Sequence, residues 1–280
     1  MIPRFALIIG AMKSGTTTLF DHLSGHPEIC PCEEKEPNFF ASPDNFARGL
    51  PWYESKFPWD GDNHRVALEA TMLYTWAGVL PNTEGVPARI ADTPRNFRFI
   101  YLVRDPIARV ESHITYTAIR DEVGGFDARA DTVPDWLISV SDYWKQLERY
   151  FEHFDRTRVL VATTEELHAN PGALLARIES FLELSPFADD ASAYAPSNVT
   201  RGQVAPPPLW QWLRRMPLLR SQVRRIPAPL RRALRDRLAR PIESHVTLNP
   251  AQRQYVRSRL QTGMTRLGDE LGVPVEQWGF

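Results

Sequence analysis

Three features of the sequence predict an α/β fold, a central parallel sheet with helices on both faces. Short continuous apolar runs alternate with segments of helical period, the pattern of strands joined by crossover helices. Several helical segments open on a capping residue followed by proline. The polar chemistry gathers at strand ends, where ligands sit in such sheets. Phe5–Ile9 reads as a buried strand that breaks at Gly10 and gives way to a helix carrying Leu19, Phe20 and Leu23. Val66–Ala70 reads as a second strand. Phe97–Val103, β-branched and aromatic, is the strongest strand signal and ends at Arg104, after which Asp105-Pro106 reads as an N-cap and first helical residue. Trp136, Leu137, Val140, Trp144, Leu147, Phe151 and Phe154 repeat at helical spacing and predict one long amphipathic helix. Val159–Ala162 is a further strand. Asn170-Pro171 opens a helix with Leu174, Leu175, Ile178 and Phe181 on one face, and Asn249-Pro250 opens a last one running towards Leu267 and Leu271. With no internal repeat, one domain over residues 1–280 is the simplest organisation.

At 280 residues, 43% hydrophobic and 24% charged, the chain has enough apolar material for a sizeable core. It is neither a disordered chain nor a disulfide-stapled miniprotein. No apolar run approaches the roughly 20 residues that span a bilayer. Residues 1–12 lack the charged start and cleavage site of a signal peptide, so the expected location is cytoplasmic. Cys30 and Cys32 flank a proline and offer only two metal ligands, which predicts reduced thiols and no metal. The net charge of −1 hides an asymmetry: residues 201–240 carry 11 Arg and one Asp, leaving −11 on the rest. Only 4 of the 33 basic residues are lysines, and two of these, Lys13 and Lys35, fall in the motifs below.

Gly10-Ala-Met-Lys-Ser-Gly-Thr-Thr-Thr18 follows a buried strand and opens a helix, with the G-x4-G spacing of a phosphate-binding loop. Such loops aim backbone N–H groups and a helix N-terminus at an anion. A nucleotide triphosphatase places lysine directly after the second glycine; here that position is Thr16 and the lysine stands upstream at Lys13. The pattern points to phosphate binding of a different kind. Arg104-Asp-Pro-Ile-Ala-Arg109-Val-Glu-Ser112 follows the central strand, so a guanidinium and a hydroxyl lie where they can share one phosphate.

Together these residues resemble the PAPS-dependent sulfotransferases, PAPS being 3′-phosphoadenosine 5′-phosphosulfate. The resemblance is closest to the branch that includes heparan sulfate sulfotransferases and many bacterial carbohydrate sulfotransferases. It extends to Glu34-Lys35-Glu36-Pro37-Asn38-Phe39-Phe40, Glu69-Ala-Thr71-Met-Leu-Tyr74, Thr163-Thr-Glu-Glu-Leu through Phe181-Leu182, Ser197-Asn-Val-Thr-Arg201-Gly202, and Leu271-Gly272 with Trp278. It implies a P-loop-like three-layer α/β/α fold. It further implies that Lys13, Ser14, Gly15, Thr16 and Thr17 hold the 5′-phosphosulfate, that Arg104 and Ser112 hold the 3′-phosphate, and that Arg201 and Gly202 close over the nucleotide. Glu36 matches the general base and Lys13 the group that stabilises the leaving phosphate, with no metal required. Burial by Pro37, Phe39 and Phe40 is expected to raise the Glu36 pKa, whereas Glu33 and Glu34 read as solvated acids. Asn38 stands where histidine is common, and Ala70 and Met72 replace a lysine and a proline of the heparan enzymes. These departures argue against a highly sulfated acceptor and leave the donor site intact.

The implied acceptor is a hydroxyl, or less favourably an amine, of a carbohydrate, glycolipid or glycosylated metabolite. Leu209–Arg240 alternates Trp, Leu, Ile and Pro with arginine pairs, which suits a helical lid or contact with an anionic membrane surface or acceptor. No recognition motif accompanies that charge, so no nucleic-acid partner is expected. His22, His26 and His113 read as structural or acceptor-lining. Two alternatives stay open at this level: a variant P-loop kinase, and a non-catalytic membrane- or polyanion-binding protein on a decayed sulfotransferase fold.

Overall fold

The computed structural model describes residues 1–119, 126–187, 204–205, 240–241 and 245–280. Its elements run β1 (Arg4–Gly10), α1 (Thr16–Leu23), β2 (Ile29–Pro31), α2 (Pro43–Phe46), α3 (Leu50–Glu54), β3 (Val66–Glu69) and α4 (Val86–Ala91). They continue with β4 (Asn96–Val103), α5 (Pro106–Ile119), α6 (Asp135–Ser141), α7 (Tyr143–Phe151), β5 (Val159–Thr163), α8 (Thr164–Ala169), α9 (Pro171–Leu182) and α10 (Pro250–Leu271). Val204–Ala205 pairs antiparallel with Arg240–Pro241 as a separate two-stranded ladder.

The five main strands form one sheet in the order β2-β3-β1-β4-β5, every pairing parallel. Alternation along the strands divides the interior in two, because successive side chains leave opposite faces. Phe5, Leu7, Ile9, Phe97, Phe99 and Tyr101 face one core with α5, α6, α7 and α10. Ala6, Ile8, Ile100 and Leu102 face the other with α1, α8 and α9. These are the three layers expected.

The predicted single helix over Trp136–Phe154 is instead two, α6 and α7. Asp142 at the break (φ −80°, ψ 73°) leaves helical geometry, and its carboxylate caps α7 by accepting from the Lys145 N–H at 3.4 Å. Periodicity survives the break because both helices bury their apolar stripe on the same core. Strand β2 is an element that the sequence reading did not anticipate. It is three residues long, and its proline is tolerated at the end of an edge strand, where a missing N–H costs no ladder bond. Its cysteines are free and buried, and burial pushes the thiols up to about 11 at Cys30 and about 12 at Cys32. Among the described residues, no helix is long and apolar enough to cross a membrane.

The chain leaves β1 towards β2 and β3 on one side and later returns through β4 to the other, so β1 and β4 flank the topological switch point. A crevice at the carboxyl ends of these two strands is the preferred ligand site of such sheets. Gly10–Thr18 and Arg104–Ser112 both begin there.

Candidate functional site

The loop after β1 is shaped by glycine and by left-handed backbone. A Cβ on Gly10 would stand 2.3 Å from Thr75 Oγ1, which itself donates to the Ile9 carbonyl at 3.0 Å. The Ala11 N–H donates to the Leu102 carbonyl at 2.7 Å, tying the loop to β4. Lys13 (φ 71°) and Gly15 (φ 90°) are both left-handed, a conformation that costs a lysine about 1–2 kcal/mol. Gly15 then caps α1 without a side chain, and the first N–H groups of that helix have no carbonyl a turn earlier to donate to. Ser14 is completely buried, and its Oγ has no hydrogen-bond partner among the described residues. An orphaned buried hydroxyl beside a helix N-terminus fits an anion.

The β4–α5 junction meets this loop directly. Asp105 Oδ1 accepts from the Ile107 N–H at 2.9 Å, the cap the sequence predicts. Tyr143 OH donates to the Arg104 carbonyl at 2.8 Å, and the Asp105 N–H donates to Glu165 at 3.3 Å. Arg104 Nη1 donates to the Lys13 carbonyl at 3.4 Å. Thr164, opening α8, donates its hydroxyl to the Ser14 carbonyl at 2.7 Å and lies 3.1 Å from the Val103 carbonyl. Thr16 is buried, Thr17 is half-buried on the first turn of α1, and Ser112 is half-buried on α5. One turn beyond Ser112, the Tyr116 ring lies 4.4 Å from Lys13 Nζ. Lys13, Ser14 and Arg104 are thus joined by contacts, and Ser112 stands on the same helix face as the ring beside Lys13. Arg201 and Gly202 lie outside the described residues, as do residues 209–239 of the basic segment.

Beneath this surface lies Arg109, which the sequence reading quoted without a role. It is completely buried, and its partners among the described residues are all neutral: Ser141 Oγ at 2.6 Å, the Leu137 carbonyl at 2.9 Å, His113 Nδ1 at 3.1 Å and the Met12 carbonyl at 3.4 Å. A guanidinium only donates, so His113 Nδ1 accepts and the imidazole carries its proton on Nε2. Burial, reinforced by the Arg109 and Lys13 charges, pushes the His113 pKa down to about 2, so the ring stays neutral. A cation buried with no carboxylate partner among the described residues, under a loop with an orphaned hydroxyl, makes the site electrostatically receptive to an anion. The sequence signal was available: Arg109 falls between Ile107, Val110 and Ile114, which face the core.

Glu36 sits on an irregular loop whose carbonyls are almost all tied down. Lys35 O accepts from the Ala70 N–H at 2.9 Å, and Glu36 O from Asn38 Nδ2 at 2.8 Å. Pro37 O accepts from Asn45 at 2.9 Å, Phe40 O from Arg89 Nε at 2.7 Å, and Ala41 O from Asn82 at 2.5 Å. Asn38 (φ 52°) takes a left-handed conformation that asparagine tolerates better than most residues. Pro37, Phe39 and Phe40 are buried as expected, and Glu33 and Glu34 are exposed. The Glu36 side chain remains 34% exposed and accepts from Lys35 Nζ at 3.0 Å.

The fully buried carboxylate here is Glu69, at the end of β3. Burial raises its pKa to about 7 from an ordinary 4.5, opposed by hydrogen bonds from Thr71, Tyr74 and Tyr53 and assisted by the Glu36 charge. The folded protein therefore holds a proton that the unfolded chain releases between pH 4.5 and 7. The contribution to stability is complete below 4.5 and is lost as pH rises through about 7, a change of roughly 3 kcal/mol. Urea melts of Glu69→Gln across this window are expected to lose that slope; an unchanged slope refutes the assignment.

Among the described residues, no cluster of three or more metal-ligating side chains occurs. A sulfotransferase from Alicyclobacillus acidocaldarius superposes with a TM-score of 0.61 at 21% identity, covering 99% of each chain, and shares the fold. Human heparan sulfate glucosamine 3-O-sulfotransferase 3B1 is 31% identical over 206 residues, 70% of this chain and 50% of that protein. Mouse heparan sulfate glucosamine 3-O-sulfotransferase 5 is 29% identical over 209 residues, 70% of this chain and 58% of that protein. The chain thus matches about half the length of these curated relatives. The sulfotransferase domain model matches residues 3–195, a span that holds both loops at the switch point and the Glu36 loop, and the chain belongs to the sulfotransferase family.

Proposed function

We propose that the protein transfers a sulfuryl group from PAPS to a hydroxyl of a carbohydrate, glycolipid or glycosylated metabolite. The observation that carries this reading is the junction of the two loops, where the orphaned Ser14 hydroxyl, the start of α1, Lys13 and Arg104 converge above the buried Arg109, which has only neutral partners among the described residues. PAPS supplies the activated sulfur. Ser14, Gly15, Thr16 and Thr17 bind its 5′-phosphosulfate, while Arg104 and Ser112 bind the 3′-phosphate. Glu36 takes the proton of the acceptor hydroxyl as its oxygen bonds to sulfur. The bond between sulfur and the bridging phosphate oxygen breaks, and Lys13 stabilises the charge that develops there. The glucosamine 3-O-sulfotransferase relatives support a sugar hydroxyl as the acceptor.

The test is nucleotide-linked stability. At about 100 times its Kd, a ligand adds about 2.7 kcal/mol, a rise of several °C for a protein of this size. 3′,5′-ADP is expected to give that rise, 5′-ADP and ATP–Mg²⁺ much less, and Arg104→Ala is expected to abolish the preference. Equal stabilisation by 5′-ADP and 3′,5′-ADP overturns the assignment of Arg104. Stabilisation by ATP–Mg²⁺ alone overturns the donor.

A further inference from the structure

Glu69 is completely buried, and the three groups that donate to it are neutral hydroxyls: Tyr53 OH at 2.8 Å and Tyr74 OH at 2.7 Å to Oε1, and Thr71 Oγ1 at 2.6 Å to Oε2. Once ionised, above about pH 7, the carboxylate only accepts and so fixes the direction of each hydroxyl proton. That leaves the Tyr74 oxygen turned to accept the Phe40 N–H, at 3.4 Å. The two tyrosine rings continue the same support. Tyr53 stacks on Phe39 at 4.4 Å with 8° between planes and on Phe5 of β1 at 5.2 Å. Tyr74 meets Phe40 edge-on at 5.8 Å, and its own carbonyl accepts from Tyr150 OH at 2.9 Å. One residue past Glu69, the Ala70 N–H donates to the Lys35 carbonyl. Both sides of Glu36 are thereby referred to one carboxylate: Lys35 through the backbone next to it, and Phe39-Phe40 through the two tyrosines it orients.

We infer that Glu69 is a positioning residue for Glu36, a buried hub whose hydroxyl struts fix the 35–40 loop so that the Glu36 carboxylate is held towards the acceptor. The inference rests on the reading of Glu36 as the base. A base held within about half an ångström of its working geometry keeps its effect, and one on a loosened loop loses it while the donor site is untouched.

Three variants and three readouts test it. Glu69→Met removes the acceptor for both tyrosines; Glu69→Gln keeps an amide oxygen for them; Tyr74→Phe keeps the ring and removes one strut. Amide hydrogen exchange across residues 34–42, stabilisation by 3′,5′-ADP, and kcat with the KM for PAPS are measured on each. In Glu69→Met, exchange across 34–42 is expected to quicken at least tenfold and kcat to fall about 10- to 100-fold, with nucleotide stabilisation and donor KM unchanged. Glu69→Gln is expected to recover most of that loss, and Tyr74→Phe to fall between. The inference is overturned by a folded Glu69→Met whose 34–42 exchange or kcat matches the wild type, or whose exchange rises equally across the whole sheet. If Glu69→Met does not fold, Tyr74→Phe decides on the same criteria. A wild-type protein without turnover removes the base assignment, and the exchange measurement still judges the hub.

Discussion

Glu36→Gln is expected to lower kcat by about 10²- to 10⁴-fold, the range of a general base, with the stabilisation by 3′,5′-ADP unchanged. Gln keeps the shape of the side chain and a hydrogen bond to Lys35 but cannot take the acceptor proton. The surrounding backbone is held by neighbours other than the carboxylate: Ala70, Asn38, Asn45, Arg89 and Asn82. The substitution therefore removes chemistry without loosening the loop. The measurement is transfer from PAPS to a sugar acceptor that the wild type sulfates. A loss below about threefold assigns the proton to another group; a loss of nucleotide stabilisation would mean that Glu36 serves the donor site.

Arg109→Met is expected to destabilise the fold by about 2–4 kcal/mol, seen as a fall in Tm of roughly 5–10 °C. Removing the guanidinium leaves the Met12 carbonyl, Ser141 Oγ and His113 Nδ1 without this donor in the interior, while the Leu137 carbonyl keeps the Ser141 hydroxyl at 3.1 Å. Relief from burying an uncompensated cation offsets part of that cost, so the net falls short of the summed hydrogen bonds. The same variant is expected to gain less from 3′,5′-ADP than the wild type, because the charge beneath the Lys13 loop is gone. Thermal melts with and without nucleotide separate the two effects. A variant that melts lower yet keeps the full nucleotide increment confines Arg109 to a structural role.

Four of the five strands of the main sheet were legible because burial on both faces writes continuous apolar runs, as at Phe97–Val103; the three-residue β2 was too short to write one. The caps at Asp105, Asn170 and Asn249 were legible because local hydrogen bonding demands those side chains, and each caps its helix through its carbonyl or carboxylate oxygen. The division at Asp142 was not, since a capping aspartate and a solvent-facing one look alike within an unbroken apolar period. Burial around the Glu36 segment was expected from its apolar neighbours, but the fully buried carboxylate proved to be Glu69, at the end of a strand and in a segment matched to the family without a role for this acid.

By itself the sequence determined the parallel α/β architecture and the two polar strand ends, because both follow from local pattern: apolar runs, glycine spacing and capping residues; Glu36 was singled out by the family resemblance. Only the tertiary structure decided that the two loops meet, that Arg109 lies beneath them with neutral partners among the described residues, and that Glu69 is buried among hydroxyls next to the Glu36 loop. These depend on strand order and on partners 16 to 150 residues apart, such as Tyr53 with Glu69 and Ser14 with Thr164. Local propensity carries no information about which distant side chains meet, and a buried charge acquires its energetic meaning from those meetings.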